Sequence, residues 1–178
     1  KWDGYRAVAT IHQWKADLRS RNNLSFSARY SPLINALEQI AFNAVLDGEI
    51  VALDENGHSH FQYLQNWQRD QQGHLVYYVF DIPWLEGYDL TQIPLIDRKA
   101  ILKEVLPVND VIRYSDHIEK NGTEFFNAAK AQGLEGVIAK NKNSTYHFDT
   151  RSRDWLKIKT DQRQEAIICG FTEPRASR

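Results

Sequence analysis

The amino-acid sequence predicts an α+β fold in which mainly antiparallel sheets are flanked by helices. Short segments rich in β-branched and aromatic residues are typical of strands, and they alternate with segments whose apolar residues repeat at helical spacing. Turn-forming Asn, Asp and Gly residues lie between several of the strands. With 178 residues, of which 42% are hydrophobic, the chain is long enough for a domain with a packed core.

The predicted strands are runs of β-branched, aromatic and other apolar residues. In chain order they occupy residues 7–12, 18–26 with a turn at the centre, 49–53, 75–82, 110–117, 136–140, 155–159 and 165–171. The run 75–82 lacks polar alternation, so we expect a central strand that is buried on both faces. Asp47-Gly48 is a turn signal before the strand at 49–53, and the residues from Asp54 to Gly57 indicate a hairpin turn after it.

Helices are predicted from apolar spacing and from the residues that begin or end them. The predicted helices lie at 31–43, 59–72, 96–105 and from about 121 to a cap at Gly133. Ser31 is a suitable N-cap, and Pro32 occupies the first helical position, where proline is favoured. The segment 59–72 is polar and amphipathic, so we expect it to lie at the surface.

Composition excludes several classes of protein. No run approaches the roughly 18 apolar residues of a membrane helix, and no signal-peptide pattern is visible, so we expect no membrane association. The single cysteine, Cys169, excludes an internal disulfide and fits a reducing compartment. The chain contains no methionine, so we expect it to be an excerpt of a longer protein or one whose start was removed.

The net charge of −1 argues against a generic basic nucleic-acid binder, but the charge is unevenly distributed. Residues 1–30 carry six Lys and Arg against two Asp and Glu, and residues 140–178 carry nine against five. The middle of the chain is strongly acidic. If the two ends meet in the fold, they form a basic face suited to phosphates; chance clustering of solvated charge is the alternative.

Six short runs carry the residues that we expect to perform chemistry. The most restrictive is the hexapeptide that begins at Lys1 and ends at Arg6, with the pattern KxDGxR. The other five, in chain order, are Ser20–Asn22, Leu46–Ile50, Tyr78–Ile82, Leu134–Lys140 and Trp155–Lys159. Taken singly, most have ordinary interpretations: an arginine in a turn is usually surface charge, and an aromatic residue in a strand usually belongs to the core.

Two of the runs are informative even alone. Glu135 and Lys140 bracket an apolar strand, an unusual place for charge unless both ends face a site. Lys157 and Lys159 are two residues apart on a predicted strand and therefore share one face, where a structural strand would more often carry apolar residues.

Together and in this order, the six runs resemble the motifs of the ATP-dependent DNA ligases. Finer detail at 135–140, 152–157 and 170–178 is similar to the ligase module of bacterial end-joining ligases (ligase D). The resemblance covers nearly the whole chain. It implies a ligase-type nucleotidyltransferase (ATP-grasp-like) domain at 1–162. Residues 163–178 would then be the first strand of an OB-fold domain that is mostly missing.

The resemblance implies a role for each candidate residue. Lys1 would be the nucleophile that attacks ATP to form lysyl-AMP, and Lys157 and Lys159 would hold the α-phosphate. Arg6 and Arg21 would contact the ribose or the phosphates.

The remaining implied roles concern the base, the ribose and a metal ion. Phe80 would stack on adenine. Glu49 would lie at the ribose, and Glu135 near a divalent cation, Mg²⁺ or Mn²⁺, with Glu49 as a second metal-binding carboxylate. Asp3 and Gly4 are expected to shape the turn around Lys1.

The same resemblance implies nicked or broken double-stranded DNA as the substrate and a bacterial cytoplasmic, nucleoid-associated location. Ku and fused polymerase or nuclease domains are the implied partners. We expect the excerpt to bind AMP or ATP and to seal nicks poorly. The alternatives are an RNA ligase, a GTP-using mRNA-capping guanylyltransferase, and a non-catalytic nucleotide- or DNA-binding fragment.

Overall fold

A computed structural model describes residues 1–107, 109–148 and 152–160 of the chain. The strands are β1 (Tyr5–His12), β2 (Lys15–Ser20), β3 (Ala44–Leu53), β4 (His74–Leu85), β5 (Tyr88–Asp89), β6 (Ile112–Tyr114), β7 (Gly136–Lys140) and β8 (Trp155–Lys159). The helices are α1 (Ser31–Leu37), α2 (Phe61–Gln65), α3 (Trp67–Asp70), α4 (Leu95–Val105) and α5 (Gly122–Ala131). None of these helices is long and apolar enough to cross a membrane.

The strands form two sheets. The larger has the order β2-β1-β3-β4-β5, and β6 pairs in parallel with β4. All other pairs in this sheet are antiparallel, and β7 and β8 form a separate antiparallel ribbon. The predicted α+β class with mainly antiparallel pairing is therefore confirmed.

The larger sheet has one face in the main core and a second face that carries charge. On β1, alternate residues such as Ala7, Ala9 and Ile11 are buried, as a half-buried strand requires. They pack with side chains of α1 and α4, among them Leu33 and Leu102. The residues between them face the other way, which is where the polar side chains of the candidate site lie.

The strands predicted from apolar runs are confirmed, with corrected bounds. The central strand extends to Leu85, and the ribbon strands at 136–140 and 155–159 have the predicted bounds. The predicted strand 110–117 is only three residues long in β6. The return strand after Ser20 is reduced to a single bridge between Arg19 and Ser25.

The Asp47-Gly48 turn prediction is wrong. β3 runs without interruption through both residues, and its pairing with β4 shifts register on either side of Asp47. Glycine is required at position 48 because a Cβ there would lie 2.5 Å from the Tyr77 ring. The turn that follows β3 does form, with the Asp54 N–H donating to the His58 carbonyl at 2.9 Å, but it leads into α2 and not into a second long strand.

Two helix predictions are also corrected. α1 ends at Leu37, earlier than predicted, and β3 begins soon after it at Ala44. The helix predicted at 59–72 is two short helices that meet at Asn66, which is the C-cap of α2 and the N-cap of α3. The predicted strand 165–171 and the boundary at 162/163 lie outside the described residues.

Candidate functional site

The pairing of three strands places predicted site residues on one face of the larger sheet. Arg6 on β1 is the register partner of Glu49 on β3, and Glu49 is the partner of Tyr78 on β4. Directly paired residues project from the same face. Asp47 and Phe80, each two residues along its strand, extend this row of polar and aromatic side chains.

Gly4 lets the first residues of the chain cross this face at close range. A Cβ at Gly4 would lie 2.1 Å from the Ile50 carbonyl oxygen, so any other residue would push the chain away from β3. Trp2 then stacks on Tyr78 with ring centroids 4.1 Å apart and planes 11° from parallel. This geometry agrees with the role predicted for Gly4, and it sets the position of Lys1.

Lys1 lies against the ribbon formed by β7 and β8. Its Nζ is 2.5 Å from Oε2 of Glu135, and Nζ of Lys157 is 3.2 Å from Oε1 of the same carboxylate. The two ammonium groups lower the pKa of Glu135, with the hydrogen bond from Lys1 as the largest cause. The structure thus brings together three residues that were predicted to act on the nucleotide.

The start of β7 fixes Glu135 beside the lysine pair of β8. Gly136 has φ +149°, and a Cβ there would lie 2.2 Å from the Ile158 carbonyl oxygen, so the two strands approach closely at this point. Gly136 pairs with Lys159, and Lys157 lies two residues away on the same face of β8. Within the described ranges, the Lys159 ammonium makes no hydrogen bond or ion pair, which leaves it available to an anion.

Arg6 is held by a fully buried carboxylate. Its Nε donates to Oδ1 of Asp47 at 3.0 Å and its Nη2 donates to Oδ2 at 2.5 Å. The hydroxyl of Tyr146 also donates to Oδ2, at 2.9 Å. Burial acts to lower the pKa of Arg6, but the bonds and charge of Asp47 outweigh it and raise the pKa, so the guanidinium remains charged.

Arg6 and Arg21 line the same cavity. It has a volume of about 270 Å³, and its lining residues are Arg6, Arg21, Thr145, Tyr146, His147, Ser152 and Trp155. Two guanidinium groups and several hydroxyl or imidazole groups make this a suitable place for phosphate or ribose oxygens. A larger cavity of about 820 Å³ shares Tyr146 and His147 with it and extends toward Thr10 and Trp84.

Two cations lie near the Phe80 ring. The Lys140 Nζ is 4.0 Å from its ring centroid and 3.5 Å from that of Trp155, and the two rings meet edge to face at 5.5 Å. The Arg6 guanidinium is 5.9 Å from the Phe80 centroid. A base that stacks on the ring face where the Lys140 ammonium lies has to displace that cation. Burial lowers the pKa of Lys140 to about 7, although Asp81 and Asp47 act in the opposite direction.

Glu49 and Glu135 are the two predicted metal-binding carboxylates. Burial raises the pKa of Glu49 to about 7, against the opposing charge of Lys1. A cation beside such a carboxyl group would relieve the cost of ionising it, and carboxylate oxygens suit Mg²⁺ or Mn²⁺. Among the described residues no group of three or more His, Cys, Asp or Glu side chains could hold a metal. Glu49 and Glu135 as ligands of a divalent cation therefore stay a prediction.

Sequence reasoning missed Asp47, Tyr146 and Trp155 as parts of this site. Asp47 was read as a turn residue, although an aspartate inside an apolar strand is itself a signal of a buried ion pair. Trp155 stood in a recognised run but received no role. Tyr146 lies in a polar loop, and no spacing relates it to Asp47.

A family model and two known proteins that are similar to this chain all belong to the DNA ligases. A family described as ATP dependent DNA ligase domain matches residues 1–159. The chain is 38% identical over 182 residues to the multifunctional non-homologous end joining protein LigD of Pseudomonas aeruginosa, covering 100% of this chain and 22% of that protein. It is 35% identical over 182 residues to a DNA ligase of Sulfolobus acidocaldarius, covering 93% of this chain and 30% of the relative.

The fold agrees with solved structures. The ligase domain of Mycobacterium tuberculosis LigD superposes with a TM-score of 0.79 at 31% identity, covering 89% of this chain and 52% of that one. A mycobacterial DNA ligase D complexed with ATP and MES gives the same values. The ligase-type nucleotidyltransferase fold is therefore confirmed, whereas the roles of individual residues stay predictions. The chain spans less than a third of either sequence relative, but it belongs over nearly its whole length to the family of ATP-dependent DNA ligase domains.

Proposed function

We propose that this chain is the adenylation domain of an ATP-dependent DNA ligase that acts in double-strand break repair. The observation that carries the proposal is the position of Lys1. Its amine lies against Glu135 with Lys157 on the other oxygen of the same carboxylate, in a chain that belongs to this family. A relative of similar fold is described as complexed with ATP, and another by its name takes part in non-homologous end joining.

The first step is attack of the Lys1 Nζ on the α-phosphorus of ATP. An N–P bond forms, the P–O bond to pyrophosphate breaks, and the neutral amine gives up one of its two protons to solvent, so that the phosphoramidate keeps one N–H. Only a neutral amine with a free lone pair can attack, so the contact between Lys1 and Glu135 has to open before reaction. A divalent cation held by Glu135 and Glu49 would neutralise phosphate charge and compete with Lys1 for Glu135.

The remaining residues bind and orient the nucleotide. Lys157 and Lys159 are positioned on one face of β8 to hold the α-phosphate and the negative charge that develops on it. Arg6 and Arg21, which line one cavity, would bind phosphate or ribose oxygens. Glu49 would accept a hydrogen bond from the ribose, and Phe80 would stack on adenine once a cation has left its ring.

Later steps need more than the described residues. We infer that AMP passes from Lys1 to a DNA 5′-phosphate and that a 3′-hydroxyl displaces it to seal a nick. Residues 163–178 would begin an OB-fold domain that completes the DNA clamp. We also propose Ku and fused polymerase or nuclease domains as partners, and a place at the bacterial nucleoid; the end joining in the names of two relatives supports this. We expect residues 1–178 on their own to seal nicks poorly.

The experiment is incubation of the purified chain with α-labelled ATP or GTP and a divalent cation. We expect a covalent adduct with ATP that Lys1→Ala abolishes, and that Lys130→Ala, at an exposed position on α5, leaves unchanged. An adduct with GTP alone would favour a capping enzyme, and sealing of nicked RNA in place of nicked DNA by a longer chain would favour an RNA ligase. No adduct with either nucleotide would overturn the proposal.

A further inference from the structure

The segment that joins β7 to β8 is anchored to the larger sheet by Tyr146. Tyr146 is only 6% exposed, and its hydroxyl donates to the Asp47 carboxylate at 2.9 Å across a sequence separation of 99 residues. Its backbone N–H donates to the Thr91 carbonyl at 2.7 Å. Burial and the Asp47 carboxylate raise the pKa of Tyr146 well above its usual range, so the hydroxyl keeps its proton and acts as the donor.

The same segment is fixed from a second side, so the Tyr146 ring has little freedom. The Leu95 N–H donates to the Ser144 carbonyl at 2.9 Å, and Nη1 of Arg98 donates to the same oxygen at 3.2 Å. The Arg98 guanidinium lies 5.7 Å from the Tyr146 ring centroid. The position of the tyrosine hydroxyl is thus set by the start of α4 and not by Asp47 alone.

Asp47 links Tyr146 to Arg6, because its carboxylate accepts hydrogen bonds from both side chains. Its carboxylate is 0% exposed and accepts two bonds from Arg6 and one from Tyr146, so its plane is fixed by groups on two sides. A forked pair between a guanidinium and a carboxylate fixes the plane of the guanidinium as well. The Arg6 side chain is 34% exposed, and Arg6 lines the cavity that it shares with Arg21.

We propose that Tyr146 and Asp47 are positioning residues for Arg6. The Tyr146 hydroxyl orients the Asp47 carboxylate, and the carboxylate orients the Arg6 guanidinium toward the nucleotide. Arg6 is therefore correctly aimed only when the stretch from Ser144 to Tyr146 keeps its contacts with the larger sheet and α4. The consequence for catalysis rests on the proposed function, whereas the coupling of the three side chains does not.

The competing explanation is that Tyr146 only anchors its own segment. Removal of its hydroxyl would then lower stability without changing how each folded molecule binds or uses ATP. Tyr30 supplies a matched control, because it is also buried and its hydroxyl donates to the Leu64 carbonyl at 3.2 Å, in the main core away from Arg6.

The kinetic test compares Tyr146→Phe with Tyr30→Phe at a temperature where both are folded. A hydrogen bond to a charged group accounts for about 10-fold in an equilibrium or rate. We therefore expect Tyr146→Phe to lower the efficiency of lysyl-AMP formation about 10-fold, and Tyr30→Phe to change it by less than about 2-fold. In an Arg6→Lys background, Tyr146→Phe should have little further effect, since coupled residues are not additive.

A second readout does not depend on activity. Solvent exchange of the Arg6 Nε–H, followed by ¹⁵N NMR, should be about 10-fold faster in Tyr146→Phe and unchanged in Tyr30→Phe. Unchanged exchange, or kinetic effects of Tyr146→Phe and Arg6→Lys that simply add, would overturn the proposal. If exchange changes but no protein forms an adduct with ATP, the positioning inference stands and the proposed function fails.

Discussion

Two neighbouring aspartates of the larger sheet each pair with an arginine, Asp47 with Arg6 on β1 and Asp81 with Arg98 on α4, and the two arginines differ in their surroundings. Asp47 on β3 is the register partner of Asp81 on β4, and both carboxylates are fully buried. Asp81 accepts both bonds of a fork from Arg98, at 2.7 and 2.9 Å, as Asp47 does from Arg6. The Arg98 side chain is 0% exposed, whereas that of Arg6 is 34% exposed.

The same forked geometry therefore serves two purposes: the Arg98–Asp81 pair stabilises the fold, and the Arg6–Asp47 pair orients an arginine at the candidate site. Nη1 of Arg98 donates to the carbonyls of Ile93 and Ser144. Arg98 therefore links α4 and the residues after β7 to β4. Arg6 is partly exposed and lines the cavity that it shares with Arg21. A buried guanidinium whose donors bind protein acceptors cannot bind a ligand, whereas a guanidinium that faces a cavity can.

The largest effect on stability should come from Arg98→Lys. Lysine keeps the charge but cannot form the fork and reach both carbonyls, so buried acceptors lose their partners. We expect the free energy of unfolding to fall by about 3 kcal/mol, measured by urea denaturation. A fall below about 1 kcal/mol would show that Arg98 does not hold α4 in place.

Arg6→Lys should lower stability less than Arg98→Lys does, but it should lower activity more. The half-exposed arginine contributes less to stability, so we expect a loss of about 1 kcal/mol in the free energy of unfolding. Loss of the planar fork beside the nucleotide should slow lysyl-AMP formation about 10- to 100-fold in a single-turnover assay. Equal stability losses for Arg6→Lys and Arg98→Lys would remove the distinction between the two pairs.

Lys140 interacts with both aspartates, and it provides a test by pH. Burial lowers its pKa from 10.5 to about 7 in the folded protein. Between about pH 7 and 10.5 the unfolded chain therefore binds more protons at Lys140, and its contribution to the free energy of unfolding rises with pH. The slope is at most about 1.4 kcal/mol per pH unit. Below about pH 7 both states are protonated and the contribution is constant.

Lys140→Met should flatten this rise, as measured by urea denaturation at several pH values between 7 and 10. The substitution keeps an unbranched side chain against Phe80 and Trp155 while it removes the titrating group. Parallel pH profiles for the two proteins would show that Lys140 titrates normally.

The smallest effect is expected for a third arginine–aspartate pair that lies at the surface. The Arg19 Nε is 2.5 Å from Oδ2 of Asp17, but their side chains are 48% and 43% exposed. Solvent screening reduces such a pair to a few tenths of a kcal/mol. Arg19→Lys should change the free energy of unfolding by less than about 0.5 kcal/mol and leave lysyl-AMP formation unchanged. A larger loss would mean that the distance between the charges, and not their burial, determines how much these pairs contribute to the free energy of unfolding.

Much of the fold could be predicted because its signals are local. An unbroken apolar run located β4, and short stretches with β-branched residues located both strands of the ribbon. Predictions failed where tertiary contacts override local preference. Asp47-Gly48 has the composition of a turn, yet pairing on both sides keeps it inside β3, and Asn66 interrupts what reads as one helix.

In the candidate site, too, residues in local motifs could be predicted, and residues that depend on tertiary contacts could not. Lys1, Glu135 and Lys157 could be singled out from motif patterns, and the structure brings both lysines within hydrogen-bonding distance of Glu135. Glu49 pairs with Arg6 on the larger sheet, and the Lys140 Nζ lies 4.0 Å from the Phe80 ring centroid, a contact that the sequence did not predict. The positioning pair Asp47–Tyr146 could not be predicted, because it joins residues 99 positions apart and neither has a distinctive local sequence.

The contact between Lys1 and Glu135 has a consequence for how the protein is made. It joins residues 134 positions apart, so it closes one of the longest loops in the chain. During synthesis the carboxylate for Lys1 reaches the growing chain only after the larger sheet has left the ribosome, and Lys157 follows later still. A nascent chain therefore cannot hold Lys1 in place against Glu135 and Lys157 until translation of the ribbon is finished.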